Sequence, residues 1–303
     1  MWPRDEFGIV RRSAALDVGL TDTDLKRAVR DGELIVLDRG ALLPTSALPQ
    51  YDVDDAVYRW KVVAAAAGQT CSLSHESAAA FHGLELLKPE RTVVHFAKRR
   101  NGGGRRTATR HFHSGLPDDA VVHVDGIAVS TMARTAIDVA ATSNFPRALT
   151  VIDSALRHGA TMEELRAEAG RHRVRGAGMV RSALKYGDGR SANPGESWGR
   201  AQMITSRLPL PDLQVEFVLE DGSIAIVDYC WDGIVVGEFD GLRKFCRDLR
   251  PGERVEDAVV REKIREDRLR DLVRHVGRWI WRDLENRTMV DRMRAKLEDA
   301  GLA

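Results

Sequence analysis

The stretch Ile226-Val-Asp-Tyr-Cys-Trp-Asp-Gly-Ile-Val-Val-Gly-Glu-Phe-Asp-Gly-Leu-Arg-Lys-Phe245 decides how the last third of the chain is read. Two runs rich in Ile, Val and aromatic residues flank Asp232-Gly233, a dipeptide that favours a tight turn. Neighbouring strands are therefore expected over Ser223–Tyr229 and Ile234–Phe239. Working outward, Asp221-Gly222 is a second turn, preceded by a strand over Leu213–Leu219. Before that, Glu196–Arg207 reads as a helix opening after Pro194-Gly195. Downstream, a long charged helix is expected over Val255–Val276 and a short final strand over Arg278–Trp281. The element order is α-β-β-β-α-β.

Acidic residues gather in this frame. Asp228 ends the second strand and Glu238 lies near the end of the third. Side chains alternate along a strand, so Glu238 and Asp240 project to one face, where Asp228 would meet them. Such carboxylates form a hard-oxygen site for Mg2+ or Mn2+, which would activate a water and neutralise a phosphodiester. Glu196 would add a fourth acid. Lys244, four residues past Asp240, would orient the water or stabilise the pentavalent phosphate. The catalytic candidates are thus Glu196, Asp228, Glu238, Asp240 and Lys244, with Asp228, Glu238 and Asp240 as metal ligands. The plainer role for any one of these acids is that of a salt-bridge partner. On the long helix, Glu262, Lys263, Arg265 and Arg268 would line the DNA side, whereas Glu266 and Arg270 at i,i+4 suit a solvated helix. Trp279 and Trp281 are expected in the core.

SANPGES (191–197), LPLPDLQVEF (208–217), IVDYCW (226–231), VVGEFDGLRKF (235–245), REKIREDRLRDLV (261–273) and RWIWRDL (278–284) resemble the PD-(D/E)XK superfamily. The likeness is to the branch related to very-short-patch-repair endonucleases, in which an acid-x-acid-Gly element replaces acid-x-Lys. It implies a restriction-endonuclease-like core, with Asp240 at the usual lysine position and Lys244 as a migrated substitute. Members of this superfamily can keep the fold and lose activity.

At the other end, a short helix is expected over Arg11–Asp17 and a turn at Gly19-Leu20. Thr21 then caps a second helix, with Asp24 as its capping-box partner and Gly32 as its stop. Two short strands follow around Arg39-Gly40. Helix, turn, capped helix and hairpin make a winged helix-turn-helix whose second helix would enter the major groove. Lys26, Arg27 and Arg30 on that helix, and Arg39 at the wing tip, are the DNA-contact candidates. Asp22, Asp24 and Asp31 dilute the positive field.

Between these ends, Val93–Ala97 and Arg110–His113 flank a basic Gly-rich loop, read as a hairpin tip. Lys98, Arg99, Arg100, Arg105 and Arg106 there suit phosphate contacts. His111 and His113 point the same way on their strand, and His95 lies nearby. With no Cys or carboxylate at ligand spacing, the reading is against a metal there. His75 and Glu76 open a helix over Glu76–Phe81, and their expected role is capping and packing.

GIVRRSAALDVGLTDTDLKRAVRDGEL (8–34), LDRGALLP (37–44), SHESAAAFHGL (74–84), HFAKRRNGGGRR (95–106) and RHFHSGLPDDAVVHVDGIAVSTMARTAIDVA (110–140) resemble the AbiEi family. So does the Arg134-Thr135 pair, read as preceding a helix that starts near Ala136. This family is the antitoxin and transcriptional-repressor half of type IV toxin–antitoxin systems, and the resemblance spans about residues 5–160. It implies operator binding through the winged helix and a cognate toxin protein as partner.

The expected fold class is α/β (α+β multidomain). It comprises a winged helix-turn-helix over 1–48, a middle α/β unit over 49–186 and a restriction-endonuclease-like αβββαβ core over 190–303. The function read from it is a DNA-binding protein with an Mg2+-dependent endonuclease-like domain. The alternative is a non-enzymatic antitoxin-type repressor with an inactive nuclease scaffold.

Whole-chain properties bound these readings. In 303 residues, 46 Lys+Arg stand against 45 Asp+Glu, a net charge of +1, which excludes a uniformly basic nucleic-acid coat but not a local basic surface. Three cysteines without a CxxC pair argue against a disulfide framework or zinc ribbon and suit a reducing cytoplasm. No apolar run approaches membrane-spanning length, and the first residues lack the apolar core of an export signal. Double-stranded DNA is the expected ligand, and a homodimer would suit a reader of palindromes.

Overall fold

Thr21 and Asp24 fix the start of the helix over Asp22–Arg30 by reciprocal capping. Asp24 N–H donates to Thr21 Oγ1 at 3.2 Å, and Thr21 N–H donates to the Asp24 carboxylate at 3.0 Å. The computed structural model containing this cap describes residues 2–99, 104–171, 176–241 and 254–303, with backbone alone at 255, 258, 259 and 262. Arg100, Lys244 and Cys246 lie outside the described residues, as does most of the glycine run at 101–103.

The N-terminal elements are β1 (Val10–Arg11), α1 (Arg12–Asp17), α2 (Asp22–Arg30), β2 (Leu34–Asp38) and β3 (Ala41–Pro44). Gly32, at φ +78°, lies just past the end of α2, as a helix stop requires. The strands form a sheet in the order β1-β3-β2. Beneath it Val10, Ala15, Leu25, Ala28, Leu34 and Leu42 close a small core.

Next come α3 (Val53–Ala66), β4 (Ser72–Leu73), α4 (His75–His82), β5 (Val94–Lys98), β6 (Arg105–Arg106), β7 (Arg110–Ser114), β8 (Val121–Val124) and β9 (Ile127–Ser130). The six strands order as β6-β7-β5-β4-β9-β8. Here the hairpin expectation is corrected: β5 and β7 pair in parallel, and the antiparallel partner of β7 is β6. The chain passes beyond the β7 position, forms the edge strand β6, and returns to insert β7 against β5.

Four helices follow: α5 (Met132–Ala141), α6 (Phe145–Arg157), α7 (Met162–Arg171) and α8 (Ala177–Tyr186). α5 starts four residues before the expected Ala136, so Arg134 and Thr135 lie inside it. Then come α9 (Pro194–Thr205), β10 (Asp212–Val218), β11 (Ile224–Trp231), β12 (Val235–Phe239), α10 (Val255–Leu272), β13 (His275–Trp279), α11 (Trp281–Glu285) and α12 (Thr288–Asp299). The final strand begins three residues before the expected position, and Trp281 opens a helix instead of ending a strand.

The chain is an α+β protein of two compact units, Met1–Val139 with Glu163–Arg173, and Ala140–Met162 with Val174–Ala303. In the first unit, one core cluster takes in Ile9, Leu37 and Leu43 together with Tyr58, Val62, Phe81 and Phe96. The N-terminal strands and the six-stranded sheet thus share buried apolar surface.

In the second unit the strand order is β10-β11-β12-β13, antiparallel up to β12 and parallel between β12 and β13. α9 approaches this sheet closely. A Cβ on Gly195 would stand 2.1 Å from the Phe239 ring, and one on Gly237 would meet Trp279 at 2.6 Å. Tyr229, Phe239 and Trp279 are buried in the core there. α6 joins α9 through Asp153, which is wholly buried. It accepts from Arg200 Nη2 at 2.7 Å, Ser197 Oγ at 2.8 Å and the Asp188 N–H at 2.8 Å.

Candidate functional site

β11 and β12 bring two of the expected carboxylates together. Their register pairs Tyr229 with Gly237, and one step further sets Asp228 opposite Glu238 on the same face. Both are 7% exposed. Asp228 Oδ2 accepts the Phe239 N–H at 2.7 Å. Glu238 is held on both oxygens: Arg265 from α10 donates to Oε1 at 2.8 Å, and Arg278 from β13 reaches Oε2 at 2.6 Å. Arg278 also pairs with Glu266 at 3.1 Å.

The other candidates have bonds of their own. Glu196 is buried, but its carboxylate accepts the Ala192 N–H at 2.7 Å, the Asn193 amide at 2.6 Å and the Gln214 amide at 3.2 Å. It closes the start of its own helix. Asp240 is half-buried just past β12, its N–H bonded to Trp279 O. Among the described residues, Asp228, Glu238 and Asp240 do not bring three donor atoms within 4.8 Å of one another. A divalent ion at Glu238 would meet two guanidinium groups already in its place. In this arrangement the carboxylates do not fit Mg2+; Arg265, expected on the DNA side, is a partner of Glu238.

Lys26, Arg27 and Arg30 are all exposed on α2, and Arg39 is exposed at the β2–β3 turn. Arg27 pairs with Asp24 and Arg30 with Asp31. Among the described residues, Lys26 and Arg39 form no ion pair. Asp38 accepts the Arg39 N–H at 2.7 Å and binds Arg110 of β7 at 2.6 Å. Arg105 and Arg106 are exposed on β6, with Arg106 3.7 Å from Glu90. Arg99 pairs with Asp118 at 3.3 Å, and the Lys98 ammonium lies 5.8 Å from the Phe112 ring centre.

Arg134 is largely buried. It binds Asp138 at 2.8 Å and Glu168 at 3.4 Å, while Thr135 shares a 2.7 Å hydrogen bond with Ser130 Oγ. The Arg-Thr pair therefore ties α5 to α7 and to the end of β9.

The sequence reading weighs His95, His111 and His113 together and reads against a metal there, but it does not link His75 to them. His95 of β5 stands opposite His111 of β7, and His113 projects from the same face two residues on. His75, the first residue of α4, stacks on His113 with ring centres 3.7 Å apart. His95 Nδ1 and His113 Nε2 share a hydrogen bond at 3.0 Å. Burial first, and neighbouring cationic and imidazole groups second, push His95 down to about 4 and His113 down to about 3. Burial also takes His75 well below the ordinary histidine range. The expected capping role for His75 is not what its side chain does: the N-cap of α4 is Ser74, and the imidazole faces the other histidines. The signal available in the sequence was the SHES motif itself, which lies about 20 residues before His95 and has no spacing rule linking it to that strand.

Among solved structures, the crystal structure of the RV2827C protein from Mycobacterium tuberculosis aligns over 68% of this chain and 78% of its own. The identity is 12% and the TM-score 0.35. Two curated relatives are the uncharacterized proteins MT2308 and Rv2248 of Mycobacterium tuberculosis. Each is 35% identical over 122 residues, covering 39% of this chain and 45% of the relative. The chain thus spans less than half the length of those relatives. The segment from the end of α3 to the end of α8, residues 66–185, matches the family described as the AbiEi antitoxin C-terminal domain.

Proposed function

We propose that the chain is a DNA-binding regulator of the AbiEi antitoxin type, with a cognate toxin as protein partner. On this reading its C-terminal αβββαβ unit is a scaffold. The match of residues 66–185 to the antitoxin domain carries the proposal. The N-terminal helices and three-stranded sheet would act as a winged helix-turn-helix, with α2 in the major groove and the β2–β3 turn as wing. Lys26 and Arg39, which form no ion pair among the described residues, would hold phosphate. The scaffold reading rests on Glu238, whose two oxygens are both taken by arginine.

A second reading, an Mg2+-dependent endonuclease, draws on the element order and on Asp228 and Glu238 facing each other across adjacent strands. Plasmid incubated with Mg2+ or Mn2+ separates the two. The scaffold reading expects no cleavage. Metal-dependent cleavage abolished by Asp228→Ala or Glu238→Ala would sink it. Gel shifts on DNA from upstream of the chain's own gene test the regulator itself. The wild type should bind, and Lys26→Ala and Arg39→Ala should each weaken binding. Affinity unchanged by both substitutions removes the winged-helix reading.

A further inference from the structure

We propose that His75, His95 and His113 form a binding site for a divalent transition-metal ion of the Zn2+ type. One ring nitrogen from each residue lies within 4.8 Å of the others, and among the described residues no other group of three or more His, Cys, Asp or Glu converges in this way. Tetrahedral Zn2+ bound at about 2.0–2.1 Å sets its nitrogen ligands roughly 3.3 Å apart. The 3.0 Å between His95 Nδ1 and His113 Nε2 is already close to that spacing.

Two further features support the site. Burial holds the imidazoles neutral, the only form that ligates a metal. His75 sits at φ +49°, a left-handed conformation that a β-carbon disfavours and that persists only where surrounding structure imposes it.

The donor set chooses the ion. Three imidazoles without a carboxylate suit zinc, nickel or copper and not Mg2+ or Ca2+. Arg106 and Arg134 lie near enough to depress the histidines, and their field opposes any cation, so only an ion of high imidazole affinity would be held. His111 is a further imidazole beside the three, its ring centre 3.9 Å from that of His113. An occupied site would fasten the start of α4 to β5 and β7, the sheet that carries Arg105 and Arg106 at its edge.

The test uses the full chain without a histidine tag, stripped with EDTA and titrated with Co2+ and then Zn2+. The expected result is about one Co2+ per chain with the visible absorption of a tetrahedral site, displaced by Zn2+. His95→Asn and His113→Asn should each weaken binding on the order of tenfold or more. Zn2+ should raise the Tm of the wild type and leave that of His113→Asn unchanged. His111→Asn should retain the cobalt signal, and its loss on that substitution would overturn the three-ligand assignment. Far-UV circular dichroism of each apo variant establishes that it folds. Wild-type protein that retains neither ion after dialysis overturns the proposal without recourse to any variant. Binding that is equal in the wild type and in His113→Asn also overturns it.

Discussion

A carboxylate clamped between two guanidinium groups behaves differently from one that awaits a divalent ion. Glu238 is 7% exposed, while Arg265 and Arg278 are each about a quarter exposed. Removing the acid leaves two cations facing each other in a partly desolvated place. Glu238→Gln should therefore lower stability by about 3 kcal/mol in urea denaturation, toward the low end for a broken buried pair because both arginines retain some water. Unchanged stability would return Glu238 to the role of a free ligand. The histidines give a second prediction at this scale, for metal-free protein. Unfolded histidine titrates near 6.5. Within the fold, His95 is held near 4, His113 near 3 and His75 well below its ordinary value, so the unfolded chain binds protons first as pH falls. The stabilisation is complete above about pH 6.5 and is lost toward about pH 4, at up to ~1.4 kcal/mol per pH unit for each extra proton. The facing groups are His111 on β7, Arg106 on β6, Arg134 on α5 and Glu90 before β5. His95→Asn with His113→Asn should flatten this slope in denaturation curves from pH 4 to 7, and an unchanged slope would locate the acid sensitivity elsewhere.

Elements set by local chemistry are legible in the sequence, and elements set by distant pairing are not. The Thr21–Asp24 cap and the Gly32 stop lie within one helix, so α2 is read to within a residue at its start. β10, β11 and β12 are separated by Asp-Gly turns and rich in Val, Ile and aromatic residues, and they too follow the residues. β5 and β7 were misread because a parallel pairing leaves no turn signature, and the two-residue β6 that intervenes is too short to show a period. Close approach is equally hidden. Gly195 looks like a turn former after Pro194, yet it also lets α9 lie against the ring of Phe239. Gly195→Ala would place a methyl 2.1 Å from that ring, which is buried and packed on Trp281 at 5.1 Å between ring centres. The expected loss is about 1–3 kcal/mol or more, seen as a lower Tm. An unaltered Tm would mean that α9 can retreat from the sheet.

At the scale of the whole molecule, the run from Tyr186 to Gly195 stacks turn formers, yet that composition does not say what packs across it. Asp153, Asp188, Ser197 and Arg200 join in one network around that run, through contacts that span 35 to 47 residues. The net charge of +1 is resolved in a similar way. Arg12, Arg27, Arg30, Arg99, Arg106 and Arg110 each pair with an acid. An arginine already neutralised releases fewer counterions when it meets DNA, because its acid partner must first be displaced. Salt dependence should therefore report chiefly on Lys26 and Arg39. Each phosphate neutralised contributes about 0.9 to the slope of log affinity against log salt. If both residues hold phosphate, the double substitution Lys26→Ala with Arg39→Ala should reduce that slope by about 2, measured by titration of DNA at several salt concentrations. Loss of affinity with an unchanged slope would mean that the two residues shape the winged-helix surface without touching phosphate. Retention of both would move the DNA contact to the basic edge strand β6.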